Sequence, residues 1–153
     1  MMSRSLTRWL RRMRTSYLDW RFGTIDLSAS LGKRGEQAAV RLLRQSGYRI
    51  VGTSVSDRGG EIDVIALDGK TIVFVEVKTY ATSKPGHPAE RVDEEKQRRV
   101  TRAALRFLKR RRLLNQRVRF DVVAVFWPDE TPQPQKMQHF VAAFDATGEY
   151  EFY

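Results

Sequence analysis

The chain has 153 residues, 41% of them hydrophobic, no cysteine and a formal net charge of +10. That is room for one compact domain with a real core, and it excludes disulfides, thiolate metal ligands and cysteine nucleophiles. No apolar stretch approaches the ~20 residues of a membrane-spanning helix. Arginines recur where a secretory signal would be apolar, so a soluble, cytoplasmic protein is expected.

The charge is uneven. Residues 1–22 carry six Arg against one acid, residues 96–119 carry eleven Lys or Arg and no acid, and residues 120–153 carry one Lys against six acids. A block of eleven bases creates a local field suited to a polyanion, nucleic acid first and an anionic membrane surface second. The ordinary alternative is a solvated basic helix.

In chain order, residues 1–22 read as a basic helix with Leu6, Trp9, Leu10, Met13, Tyr17 and Trp20 at helical spacing. Its apolar and basic faces would also suit a membrane surface. Residues 23–31 read as a linker. A helix is expected from Gly32 to Gln45, burying Ala38, Ala39, Leu42 and Leu43 and ending at Gly47. Alternation predicts strands near Tyr48–Val55, Glu61–Leu67 and Thr71–Lys78, then a loop from Thr79 to Pro88. A helix over Asp93–Arg112 follows, capped by Asp93, with Gln97, Val100, Ala104, Phe107 and Leu108 facing inward. Strands at Val118–Phe126 and Met137–Phe144 complete the order. This divides the chain into a basic extension (1–31), a core domain (32–144) and a tail (145–153).

The chemistry concentrates in Gly60-Glu61-Ile62-Asp63 and, thirteen residues after the aspartate, Val75-Glu76-Val77-Lys78. Aspartate is depleted in strand interiors, so Asp63 needs a partner. With Asp68-Gly69 as a two-residue turn, Asp63 would pair with Phe74 and Glu61 with Glu76, putting Asp63, Glu76 and Lys78 on one face. A three-residue loop would send Asp63 to the opposite face. Two carboxylates side by side are hard oxygen ligands for Mg²⁺ or Mn²⁺, and a neighbouring lysine can hold an attacking water or stabilise phosphate charge. Taken alone, a Glu-x-Lys at a strand end is usually a surface salt-bridge partner.

Lys96, Arg99, Arg102, Arg106 and Arg110, spaced at three or four, form a basic ridge that is the expected phosphate track. Asp121 shares a strand face with Arg119, which predicts an ion pair there. His87 and His139 lack ligand spacing and read as structural or exposed.

The run Gly35-Glu36-x-x-Ala39, Gly47-Tyr48-x-Ile50, Gly60-Glu61-Ile62-Asp63-x-Ile65-Ala66, Val73-Phe74-Val75-Glu76-Val77-Lys78-Thr79, Lys96-Gln97 and Arg119-Phe120-Asp121-Val122-Val123 resembles the YraN-like family. The resemblance covers about residues 32–144. That family looks like a Holliday-junction-resolvase-like branch of the PD-(D/E)xK endonuclease superfamily. The resemblance implies an α/β fold with a restriction-endonuclease-like core, a mixed central sheet flanked by helices, here with an extra basic N-terminal helix. It implies Asp63 and Glu76 as metal ligands, Lys78 as catalytic lysine, Glu36 as a third carboxylate and Gln97 as a polar residue near the site. Glu36 beside a helix N-terminus, and Gln97 bonded to backbone, are the ordinary alternatives.

Two departures stand out. Thr53-Ser54-Val55-Ser56-Asp57-Arg58 replaces an Asn-aromatic-Arg type segment, and Tyr80 stands where relatives tend to carry Arg. Substrate contacts are therefore not carried over. The expectation is a metal-dependent endonuclease on structured or branched DNA. The alternative is a non-catalytic nucleic-acid-binding protein retaining the fold. A homodimer is left open.

Overall fold

The structure, a computed structural model, describes residues 17–82 and 92–147. The expected basic helix is therefore seen only at residues 17–22; Leu6, Trp9, Leu10 and Met13, with His87 and most of the loop ending at Pro88, lie outside the described residues. The core elements are α1 (Leu31–Gln45), β1 (Arg49–Asp57), β2 (Gly60–Asp68), β3 (Thr71–Tyr80), α2 (Glu94–Arg110), β4 (Val118–Phe126) and β5 (Lys136–Phe144). The five strands form one mixed sheet in the order β1-β2-β3-β4-β5. Only β3 and β4 run parallel, and the connection between them carries α2. The fold is thus α/β with a central sheet flanked by helices, compatible with a restriction-endonuclease-like core.

The central strands are apolar on both faces because each face is covered by a helix. On one side Ala38, Ala39 and Leu43 of α1 pack with Val64, Val73, Val75, Val123, Val125 and Trp127. On the other, Val100, Ala103, Ala104, Phe107 and Leu108 of α2 pack with Ile65, Ile72, Phe74 and Phe120. The expected inward stripe of α2 is met except at Gln97, which is half-buried while Ala103 and Thr101 are fully so.

The register departs from expectation. Ile65, not Asp63, pairs with Phe74, and Asp68 pairs with Thr71, so Gly69-Lys70 rather than Asp68-Gly69 forms the loop. Gly69 takes the left-handed φ of +57° that the first loop position requires. Asp68 stays in the ladder, its carboxylate bound by Arg119 Nη1 at 2.9 Å. The shift is two residues, so face assignments survive it.

β3 also runs two residues past its expected end, because its parallel pairing with β4 continues through Thr79↔Val125 and Tyr80↔Phe126, and Gly35 of α1 packs closely on Thr79. A Cβ on Gly35 would lie 1.7 Å from Thr79 Oγ1. Gly35→Ala is therefore expected to force helix and strand apart and lower stability by ~1–3 kcal/mol, measured by urea unfolding. A variant as stable as the wild type would show that the two elements part freely. This approach matters because Glu36 is the next residue.

Candidate metal and nucleic-acid site

The site lies where β2 and β3 separate. Their pairing stops at Val64↔Val75, so the next opposed residues are Asp63 and Glu76. Side-chain alternation also breaks here: Ile62 and Ile65 both join the α2-side core, while Val64 faces α1. Asp63 sits at that break, and its Oδ2 accepts the Val77 backbone N–H at 2.8 Å, taking the place of a ladder partner. Across the other neighbour, Ser54 occupies the interval between Thr53↔Val64 and Val55↔Ile62 and has φ +47°. A left-handed serine is held only by surrounding bonds. Lys33 Nζ donates to Ser54 Oγ at 2.6 Å, and Ser54 Oγ donates to Glu36 Oε2 at 3.2 Å.

One carboxylate oxygen each from Glu36, Glu61 and Asp63 lies within 4.8 Å of the others. Around a cation with ligands at about 2.0–2.1 Å, oxygens stand roughly 3 to 4 Å apart, so this all-oxygen set fits Mg²⁺ or Mn²⁺ with small adjustment. Glu61 was not among the residues expected to bind metal. Its signal was present, since it stands two residues before Asp63 in the same strand.

Glu76, expected as a metal ligand, meets a lysine in this structure. It is buried, 2% exposed, and its Oε1 is in contact with the Lys96 ammonium. Both residues line one cavity of about 310 Å³ together with Gly60, Glu61, Asp63, Arg99 and Val100. Burial, then the Glu76 carboxylate, push Asp63 up to about 7 against the pull of the Val77 N–H, with Glu36 adding to the rise. For Lys96, burial opposes the charge, but the carboxylates of Glu76 and Asp63 outweigh it and hold the amine above its ordinary value.

Lys96 is aimed at Glu76 by the start of α2. Asp93 Oδ1 accepts the Lys96 N–H at 2.8 Å, as the expected N-cap. Gln97 Nε2 donates to the Val92 carbonyl at 2.8 Å, tying the turn before the helix to its first coil. Gln97 thus holds the backbone that presents Lys96 and does not line the cavity.

The ridge is divided by its contacts. Lys96 turns to Glu76, and Arg106 binds Asp57 with Nε–Oδ2 2.6 Å and Nη2–Oδ1 2.9 Å. Those bonds hold Asp57 down at about 2. Arg99, Arg102 and Arg110 are exposed. Gly59 lets the β1–β2 turn meet the Arg106 guanidinium, which a Cβ would approach to 2.3 Å. Lys78 is half-buried two residues beyond Glu76, in a stretch of β3 whose pairing with β4 is unbroken from Ile72 to Tyr80. Alternation therefore keeps it on the Glu76 face.

The Arg119–Asp121 pair is present as expected, Nε–Oδ1 at 2.8 Å, and is larger than expected. Asp121 is fully buried and also meets His139 Nε2 at 2.8 Å and the Ala142 N–H at 2.9 Å. Among the described residues no helix is long and apolar enough to cross a membrane.

Comparison with known proteins agrees with the core. The family described as uncharacterised protein family UPF0102 matches residues 35–125. The chain is similar to a UPF0102 protein of Rhodopirellula baltica, 58% identical over 144 residues, which cover 93% of this chain and 86% of that one. It is 43% identical over 116 residues to a UPF0102 protein of Geobacter metallireducens, covering 76% and 93%. A third, from Chlorobium phaeobacteroides, is 41% identical over 117 residues, covering 74% and 93%.

Proposed function

We propose that this chain, which belongs to the UPF0102 family, is a divalent-metal-dependent endonuclease that hydrolyses phosphodiester bonds in structured or branched DNA. The observation carrying this reading is the convergence of Glu36, Glu61 and Asp63 oxygens within 4.8 Å beside a cavity walled by Lys96 and Arg99. Glu36, Glu61 and Asp63 would hold Mg²⁺ or Mn²⁺, with Glu76 behind them. Such an ion, when bound, polarises a phosphate and acidifies a nearby water.

The chain's own residues do the rest. Exposed Arg99, Arg102 and Arg110 engage phosphates, giving affinity without sequence preference. Lys78 holds the attacking water or meets charge growing on the phosphate. Ser54 and Lys33 orient Glu36, and the Val77 N–H orients Asp63.

The test is cleavage of duplex, flap and four-way-junction DNA with Mg²⁺ or Mn²⁺, beside an Asp63→Ala variant. Junction or flap cutting is expected only with metal and only with Asp63 in place. Binding should weaken with salt by roughly one logarithmic unit of slope per phosphate contact, and Arg99→Ala with Arg102→Ala should flatten that slope. Binding without cutting under every metal would leave a nucleic-acid-binding protein on a nuclease fold.

A further inference from the structure

The buried Glu76 carboxylate shares its cavity with the acids Glu61 and Asp63, yet the charge in contact with it is an amine from another element. Lys96 Nζ reaches it from the first turn of α2, with the side chain 36% exposed and the glutamate side chain 2% exposed. Two separate ties, the Asp93 cap and the Gln97–Val92 bond, hold the turn that delivers it. Lys33 does the same for Glu36 at 2.9 Å, though from a more exposed position. Four carboxylates crowd this corner, and a buried carboxylate without a counter-charge is strongly unfavourable.

We infer that Lys96 is the resident counter-ion of the site, an ammonium that neutralises Glu76 in the metal-free protein and is displaced when a divalent cation binds. This rests on the metal-centre reading above and adds to it a residue that sets metal affinity. A cation among Glu36, Glu61 and Asp63 brings two positive charges to the cavity that Lys96 shares, so ion and ammonium compete for the same carboxylate charge. Lys96 is placed to yield because its stem is flexible and about a third of it is in water. Binding is weakened by the free energy of separating the pair, and selectivity for divalent over monovalent cations is sharpened, since a single charge gains nothing over the ammonium it replaces.

The experiment is calorimetric titration of Mn²⁺ into the wild type, Lys96→Met and Lys96→Gln, with NMR of lysine Cε–Hε signals in the wild type during Mg²⁺ addition. Removing the competitor is expected to tighten Mn²⁺ binding by about tenfold or more, the effect of about 1.4 kcal/mol. The Lys96 signal should move with the same midpoint as Mg²⁺ binding. The wild-type NMR arm stands even if both variants fold poorly. Wild-type binding with equal or weaker affinity in folded variants, or with a stationary Lys96 signal, would overturn the exchange and leave the metal centre intact. Binding by the variants but not by the wild type would support it in the strongest form. Absence of binding in all three proteins, with no Lys96 shift, would overturn both readings.

Discussion

Lys78→Ala should leave Mn²⁺ affinity nearly unchanged while DNA cleavage falls on the order of 10²-fold or more. The reason is where Lys78 stands. β3 carries Val75 and Val77 into the α1-side core region and turns Glu76 and Lys78 to the other face, beyond the last β2–β3 pair. In the proposed role a cation there would act on charge that develops in the transition state, so its loss would show in the rate and little in ground-state binding. Were Lys78 only a surface salt-bridge partner, its loss would cost at most ~1 kcal/mol of stability and no activity. Single-turnover cleavage with saturating Mn²⁺ separates the two, and Lys78→Arg should recover part of the rate if charge alone is needed. A Lys78→Ala protein cutting at the wild-type rate would move the chemistry to another residue.

The second large effect is on stability. Asp121→Ala is expected to lower unfolding free energy by ~3–5 kcal/mol, because it leaves Arg119 without its main counter-charge and removes the acceptor of the Ala142 N–H. Burial alone would raise the Asp121 pKa, but hydrogen bonds from His139, Arg119 and the Ala142 N–H outweigh it and hold the group below the ordinary carboxylate range. The folded protein therefore takes up this proton at lower pH than the unfolded chain does. Its stabilising contribution is complete above about pH 4 and is lost as the pH falls through the lowered value. Urea midpoints across that acid range should fall for the wild type and fall less steeply for Asp121→Ala. Parallel acid limbs in the two proteins would place the titration elsewhere.

Both predictions depend on features with different origins. The order of elements was written in local pattern: β4 was expected at Val118–Phe126 and is found there, because Val118, Phe120 and the apolar run from Val122 to Phe126 suit a strand largely buried on both faces, with the charges confined to the Arg119–Asp121 pair. Asp93 capping α2 and Arg119 pairing with Asp121 were equally legible, since each involves residues a few positions apart on one element. The parity that keeps Asp63 and Glu76 together also survived the misplaced turn, because a two-residue slip preserves faces.

What the sequence could not hold is anything decided by elements meeting. Asp68 pairs with Thr71 in the ladder and turns its carboxylate to Arg119, 51 residues away. Arg106, one of a row of bases by spacing, binds Asp57 across 49 residues. Lys96 stood in a row of bases by spacing, yet the packing of α2 over the separated ends of β2 and β3 turned it onto a buried glutamate. Glu61 entered the carboxylate set because the break in alternation at Asp63 and the close approach of α1 at Gly35 brought three elements to one corner. Helical and strand periods are properties of neighbours along the chain, so the sequence by itself determined the elements and the residue types of the site. Which carboxylate receives a lysine and which stand together without one depends on charges brought together through space, and only the tertiary structure decided it.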